Sequence, residues 1–256
     1  MTNIAVILAG GTGSRMGGGI PKQLLPLGDG RCILEHSVDA FEAAPCIQQI
    51  GIVMHSDYMV QAQQLLLRNT WQKVAWIIPG GHERYESSLN AIRHIQETIV
   101  GKSDVSNVGL MSCTDLAWTS NTDLAETNIL LHDAARPFVS QQIIQDVCTA
   151  LTQYKAVTVA IPATDTIYQV TPSQTIAEIP QRQSIMYAQT PQAFRLTTIS
   201  EAYHKALQDS TQQDSKLSAT DDCGIVHEYL PTTNIHIVPG APSNRKITYP
   251  EDLKNE

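Results

Sequence analysis

An unbroken apolar run, Ile4-Ala5-Val6-Ile7-Leu8, passes directly into Ala9-Gly10-Gly11-Thr12-Gly13-Ser14-Arg15-Met16-Gly17-Gly18-Gly19. No other feature restricts the fold as much. A short apolar stretch without alternation suits a strand covered on both faces, as in a parallel sheet. Six glycines within eleven residues cannot form a packed element. They leave backbone N–H groups uncovered and able to point at an anion. Arg15 lies inside this loop and Lys22 just past Pro21. A strand, a glycine loop and two cations describe a cradle for a polyphosphate. Glycine-rich turns after a first strand also occur in α/β proteins that bind nothing there. The loop matches neither familiar phosphate fingerprint. A P-loop needs Lys-Ser/Thr directly after its last glycine, and Gly19-Ile20-Pro21-Lys22 lacks it. The dinucleotide pattern needs a third glycine where Met16 stands, and Pro21 blocks a smooth helix start.

The rest of the first half alternates. Residues 33–44 carry apolar side chains at helical spacing and stop at Pro45. Strands are expected at 49–54, 73–78, 128–131 and 156–161. Helices are expected from Asp57 as cap to about Arg68, and from Glu83 with Leu89, Ile92, Ile95 and Ile99 on one face. This rhythm predicts an α/β fold with a mostly parallel, doubly wound sheet and right-handed crossovers. Ligands of such sheets sit at the carboxyl ends of strands. That places Asp133 and Arg136, which follow the 128–131 strand, beside the glycine loop. The competing reading of Asp133 is a helix cap, a job Ser140 could do equally.

Later segments are less regular. The polar stretch 101–127 reads as a surface excursion with no assigned role. Residues 166–170 and 175–179 flank a Pro-Ser-Gln turn and predict a projecting β-hairpin arm, at about 163–190, whose edges need a covering partner. Residues 187–192 read as a short strand and turn. A helix follows over 196–207, then a polar linker over 208–218, a short helix capped by Thr220 or Asp221, a strand over 235–238 and a helix opened by Pro250. No repeat and no domain boundary appears, so 1–256 is expected to form a single domain.

Composition removes some function classes. A net charge of −8 argues against a general binder of nucleic acid or anionic membranes. Against that acidity, Arg15, Lys22, Arg84, Arg136, Arg182 and Lys246 recur at candidate loop ends, which favours an anion site. Five widely spaced cysteines without C-x-x-C predict free thiols and a reducing, cytoplasmic location. The eight histidines show no H-x-x-x-H pair, so no protein-ligated metal is expected. No leader sequence and no apolar run near ~20 residues is seen, so no membrane span is expected.

The segment from Leu8 to Gly17, followed by Pro21-Lys22-Gln23, resembles the signature loop of sugar- and polyol-phosphate nucleotidyltransferases. The Pro-Lys-Gln spacing is most similar to the cytidylyltransferases acting on 2-C-methyl-D-erythritol 4-phosphate or on ribitol 5-phosphate. Further matching motifs follow in order: Gly80-Gly81 with Glu83-Arg84 and Ser87; His132-Asp133-Ala134-Ala135-Arg136-Pro137; Gln189-Thr190-Pro191-Gln192; Thr220-Asp221-Asp222; and Asn244-Arg245-Lys246-Ile247-Thr248 with Pro250-Glu251-Asp252-Leu253.

The resemblance implies a Rossmann-like nucleotidyltransferase fold, CTP with Mg²⁺ held mainly by its phosphates, and attack of a polyol phosphate on the α-phosphorus with loss of pyrophosphate. It implies nucleotide contacts from Leu8, Ala9, Gly10, Gly11, Thr12, Gly13, Ser14, Gly81, His82 and Ser87. It implies that Arg15, Lys22, Asp133 and Lys246 act on the reacting groups, and that Thr166, Arg182, Thr190, Thr220 and Arg136 surround the acceptor. It also implies a homodimer whose arm completes the partner's site. His82, the length of 101–127 and Arg245 depart from the family pattern and bear on the fine contacts. The 132–137 motif leans towards the methylerythritol acceptor. Gly10 to Gly13, and Ser243-Asn244 with Lys246, lean towards ribitol, and between the two the methylerythritol acceptor of isoprenoid precursor synthesis is expected, with ribitol 5-phosphate as the alternative. A nicotinamide-dependent oxidoreductase is disfavoured by the missing third glycine and by Pro21-Lys22-Gln23. A non-catalytic nucleotide-binding module has no need of cations converging on one phosphorus.

Overall fold

A computed structural model of the chain describes residues 1–11, 19–100, 122–213, 217 and 220–253. The elements in chain order are β1 (Thr2–Ala9), α1 (Ile33–Glu42), β2 (Gln49–Met54), α2 (Met59–Arg68), β3 (Val74–Pro79), α3 (Arg84–Val100), α4 (Thr122–Ala125), β4 (Thr127–Asp133), α5 (Gln141–Ala150), β5 (Ala156–Pro162), β6 (Gln169–Val170), β7 (Ile176–Glu178), β8 (Met186–Arg195), α6 (Leu196–Gln213), α7 (Asp222–Tyr229) and β9 (Ile235–Pro239). Seven strands form one sheet in the order β3-β2-β1-β4-β8-β5-β9. The neighbours β3, β2, β1 and β4 pair in parallel, as do β5 and β9. Only β8 runs against its neighbours, pairing antiparallel with both β4 and β5.

The sheet is covered on both faces, and β1 shows why its sequence lacks alternation. Ala5, Ile7 and Ala9 point into a core shared with α1, α2 and α5. Ile4 and Val6 point into a second core shared with α3, α6 and α7. Both sets are buried, so Ile4, Val6 and Ile7 each contribute about 1.5–3 kcal/mol of transfer free energy and the alanines less. The chain departs to opposite sides of β1 on its way to β2 and β4. This reversal of strand order opens a crevice at the carboxyl ends of β1 and β4.

Four sequence expectations are corrected. The segment 187–192 is no short strand and turn. It belongs to the ten-residue β8, which contains the cis Thr190-Pro191 peptide and a register shift opposite Thr158 and Val159. The polar segment after Leu207 continues α6 to Gln213. Asp57 does not cap α2; it lies in a short 3-10 turn, Ser56–Tyr58, whose Asp57 N–H donates to His55 Nδ1. The closing Pro250–Leu253 turn is 3-10, not α. The caps at Ser140 and Asp221 form as expected, accepting from Ile143 N–H and Gly224 N–H. The arm is a small hairpin, β6 paired antiparallel with β7. Most of the 101–127 excursion lies outside the described residues.

Candidate active site

A cavity of about 330 Å³ lies at the carboxyl ends of β1 and β4. Five segments line it. Leu8 to Gly11 come from the end of β1, Lys22 and Gln23 from the turn after the glycine loop, and Gly81 to Arg84 with Ser87 from the start of α3. Asp133 to Ala135 come from the end of β4, and Lys246 with Thr248 from the C-terminal tail.

The nucleotide side is built by close backbone approach. A Cβ placed on Gly10 or Gly80 would lie 2.8 Å from Ser87 Oγ, so the ends of β1 and β3 meet over that hydroxyl. Ser87 in turn accepts from Gly81 N–H at 3.1 Å. The Glu86 carboxylate accepts from His82 N–H at 2.6 Å and Glu83 N–H at 3.0 Å, shaping the turn into α3. Buried Gln23 donates to the carbonyls of Ala9 at 2.5 Å and Gly11 at 2.9 Å, which fixes where the glycine loop leaves the sheet.

Two lysines from opposite ends of the chain reach this cavity. Lys22 Nζ donates to the Ile247 carbonyl at 2.8 Å, one residue from Lys246. The tail is held there by Asn244, whose buried amide donates to Gln189 Oε1 at 3.1 Å and to the Thr190 carbonyl at 2.9 Å. Ile247 N–H donates to the Ala135 carbonyl at 2.8 Å, and its side chain is fully buried.

Asp133 collects the charge. Lys246 Nζ is 2.7 Å from its Oδ2, and Arg84 Nε is 3.4 Å from its Oδ1. Burial alone would raise this carboxyl, but the charges of Lys246 and Arg84 outweigh it and hold the group well below the usual carboxylate range. Burial likewise opposes charge on Arg84. Asp222 and Asp133 outweigh that too, so the guanidinium stays protonated.

The backbone of Asp133 is held by a directional chain of hydrogen bonds. Its N–H donates to Thr190 Oγ1 at 3.1 Å. The Thr190 hydroxyl is 3.0 Å from His132 Nδ1, and His132 Nε2 is 3.0 Å from the Arg136 carbonyl. A carbonyl can only accept, so Nε2 carries the proton and Nδ1 accepts from Thr190. Burial pushes the imidazole down to about 4, which keeps it neutral in that tautomer.

The structure therefore gathers Leu8, Ala9, Gly10, Gly11, Lys22, Gly81, His82, Ser87, Asp133 and Lys246 around one cavity. Thr12, Gly13, Ser14 and Arg15 lie outside the described residues. Thr190 sits behind Asp133, with its hydroxyl engaged as above. Arg136 spans from β4 to the tail and β8, donating to the carbonyls of Asn244 at 2.8 Å and Ala188 at 3.2 Å. Thr166 and Arg182 are exposed at the arm, where Arg182 donates to the Thr164 carbonyl at 3.1 Å. Thr220 is exposed just before α7. Gln23, Arg84 and Asp222 had no assigned role in the sequence. The first stands in the quoted Pro-Lys-Gln and the second among the loop-end cations. The third gave a weak signal: Asp221-Asp222 offers two acids where one cap suffices.

Among the described residues no group of three or more His, Cys, Asp or Glu side chains is placed to hold a metal ion, and no helix is long and apolar enough to cross a membrane. The described cysteines Cys32, Cys46, Cys148 and Cys223 are free thiols.

Known proteins resemble the chain over nearly its whole length. The family model described as IspD, 2-C-methyl-D-erythritol 4-phosphate cytidylyltransferase, matches residues 3–103 and 116–255. A Thermobifida fusca 2-C-methyl-D-erythritol 4-phosphate cytidylyltransferase is 41% identical, covering 97% of this chain and 89% of the relative. The Haemophilus influenzae bifunctional ribulose 5-phosphate reductase/CDP-ribitol pyrophosphorylase Bcs1 is 36% identical over 98% of this chain, which spans 46% of that longer protein. Among solved structures, the Anaerococcus prevotii 4-diphosphocytidyl-2C-methyl-D-erythritol synthase aligns with a TM-score of 0.73 at 24% identity, covering 99% of this chain and 93% of the other. The Francisella tularensis 2-C-methyl-D-erythritol 4-phosphate cytidylyltransferase gives 0.71 at 24% identity, covering 99% and 97%. At that identity the structures speak for the fold.

Proposed function

Because the chain belongs to the 2-C-methyl-D-erythritol 4-phosphate cytidylyltransferase family, we propose that it transfers CMP from CTP to 2-C-methyl-D-erythritol 4-phosphate and releases pyrophosphate. The observation that carries the reading is the meeting of Lys22 and the Lys246 segment at the rim of a glycine-lined cavity. A phosphoryl transition state spreads negative charge over nonbridging oxygens, and fixed cations answer that charge. The backbone of Gly10 and Gly11 and the ammonium groups of Lys22 and Lys246 hold the triphosphate in this reading. The acceptor's phosphate oxygen, already ionised near neutral pH, bonds to the α-phosphorus as the bond to pyrophosphate breaks. No side chain has to remove a proton. Arg15 is proposed to join the two lysines.

Mg²⁺ fits the donor set as a partner of the nucleotide. Among the described residues the cavity offers the carboxylates of Glu83 and Asp133, and this ion commonly takes one or two carboxylates and fills its shell with phosphate and water. It would supply neutralisation of phosphate charge. Glu83 would be the carboxylate to approach it, since Arg84 stands on Asp133.

The exposed arm supports a homodimer. Tyr168, Val170, Ile176 and Ile179 are more than half exposed and lie on or beside the hairpin. Thr166 and Arg182, proposed for the acceptor, sit at the same arm outside the cavity of their own chain, so a second copy would bring them to it. Free thiols support a cytoplasmic location. The similarity to the Haemophilus protein supports D-ribitol 5-phosphate as the second reading for the acceptor. Pyrophosphate release with CTP and each polyol phosphate, side by side, is the test. Turnover with methylerythritol phosphate is expected. Preference for ribitol phosphate reverses the acceptor, and silence with both defeats the proposal.

A further inference from the structure

Asp133 meets cations from two directions. The Lys246 side is open, with the lysine side chain 38% exposed. The Arg84 side is closed off by Asp222, which is fully buried and takes Arg84 Nη1 at 2.6 Å. Asp222 is itself fixed. Its Oδ1 accepts from the Tyr203 hydroxyl at 2.7 Å, and its N–H donates to Gln192 Oε1 at 3.1 Å. Arg136 also lends its charge to Asp133, but its hydrogen bonds go elsewhere. It donates to carbonyls on the tail and on β8, and His132 is neutral.

Transfer needs Lys246 on phosphate oxygens, whereas here it sits on a carboxylate. If Asp133 had no other partner, the departure of Lys246 would strand a mostly buried anion, which is the costly state of a broken ion pair. Arg84 already stands on the second oxygen. We infer that Arg84, locked by Asp222, is the standing counter-ion of Asp133 and so lets Lys246 exchange that carboxylate for the phosphates of the nucleotide. Arg84 is on this view a positioning residue that acts through Asp133. The inference rests on the proposed transfer reaction and adds to it the exchange of Lys246 between two anions.

A double-mutant cycle tests it. Arg84→Met is combined with Asp222→Asn, so that loss of the guanidinium leaves no unpaired Asp222 carboxylate and Tyr203 keeps an acceptor. Affinity for CTP with Mg²⁺ is measured by calorimetry in the wild-type and Lys246→Ala backgrounds. In the wild-type background the paired change is expected to weaken CTP about tenfold or more. In the Lys246→Ala background, where no lysine has to leave, it is expected to change affinity less than about twofold. Arg84→Lys keeps the charge but not the fork between Asp133 and Asp222, and is expected to lose less CTP affinity than the paired variant. A second reading needs no ligand. Pulse acylation of the free protein, read by mass spectrometry, is expected to label Lys246 several-fold more slowly in the paired variant, because Asp133 then holds it alone. Equal loss of CTP affinity in both backgrounds, or unchanged labelling of Lys246, overturns the inference. Wild-type protein that binds CTP but passes CMP to no polyol phosphate overturns the reaction, and the binding cycle still decides the role of Arg84. Absence of CTP binding by the wild type overturns both.

Discussion

Gly10→Ala probes the nucleotide side of the cavity through a single added methyl. Its Cβ would fall 2.8 Å from Ser87 Oγ and 3.5 Å from Gly80 Cα. Ordinary contact begins near 3.4 Å, so the hydroxyl has to retreat by about half an ångström. It has little room, since Ser87 is only 4% exposed, and retreat pulls it from Gly81 N–H. Overpacking costs about 1–3 kcal/mol, and the weakened hydrogen bond about 1 kcal/mol more. At about 2–4 °C per kcal/mol for a chain of this size, the melting temperature should drop by roughly 5–15 °C. Gly10 and Gly81 both line the cavity, so displacement should raise the KM for CTP about tenfold. Calorimetric melting and steady-state kinetics read the two effects. Ser87→Ala removes the obstacle, because the serine Cβ is 3.8 Å from the new methyl. The Gly10→Ala, Ser87→Ala double variant should therefore melt no lower than Ser87→Ala alone. A Gly10→Ala protein with wild-type melting and KM, or a double variant worse than either single, would refute the close-approach argument.

Lys22→Ala and Lys246→Ala should each lower kcat about 10²–10³-fold, with folding retained by circular dichroism, and Arg15→Ala should do the same. Near-full turnover of any of them would remove that residue from the site. Asn244→Ala should cost about 2 kcal/mol by denaturant titration, since it loses two buried hydrogen bonds, and should lower kcat by loosening Lys246. Stability should fall in two stages on acidification. Burial holds His132 neutral down to about 4, below its ordinary 6.5, so its contribution fades as pH drops from about 6.5 to about 4. Burial would raise Glu35, but the Arg68 and Asn69 hydrogen bonds outweigh it and bring the carboxyl down to about 2 from 4.5, so its contribution fades between those values. Each is worth at most about 3 kcal/mol, from 1.4 kcal/mol per pH unit. Urea titrations at stepped pH should show the first stage shrink in His132→Gln, leaving the part due to His94, which burial also holds below its ordinary range. Val170→Ser with Ile176→Ser should shift a dimer towards monomer in sedimentation, leaving the melting of the sheet unchanged.

The alternating half of the sheet was legible because its signals are local. β1, β2 and β4 announce themselves as apolar runs, and β1 ends on glycines that the structure places at the crevice. The strand β8 was not, because its segment is polar and broken by a proline. Gln189 and Gln192 look like surface residues, yet both are buried and satisfied only by distant partners. Gln189 reaches the Ala241 carbonyl at 2.9 Å, and Gln192 reaches Asp221 at 2.6 Å. Likewise α6 runs on past Leu207 through polar residues, and polarity alone read as linker. Around the site, Lys22, Asp133 and Lys246 were named from motifs. The bond from Arg84 to Asp222 joins residues 138 positions apart, and no local pattern records such a pairing.

The bond from Lys22 to the carbonyl of Ile247 spans 225 positions. A ribosome must have made almost all of these 256 residues before the two lysines can meet. A product ending at Asn244 would keep every described strand of the sheet, yet carry Lys22 without Lys246. Translation itself thereby withholds chemistry from unfinished chains.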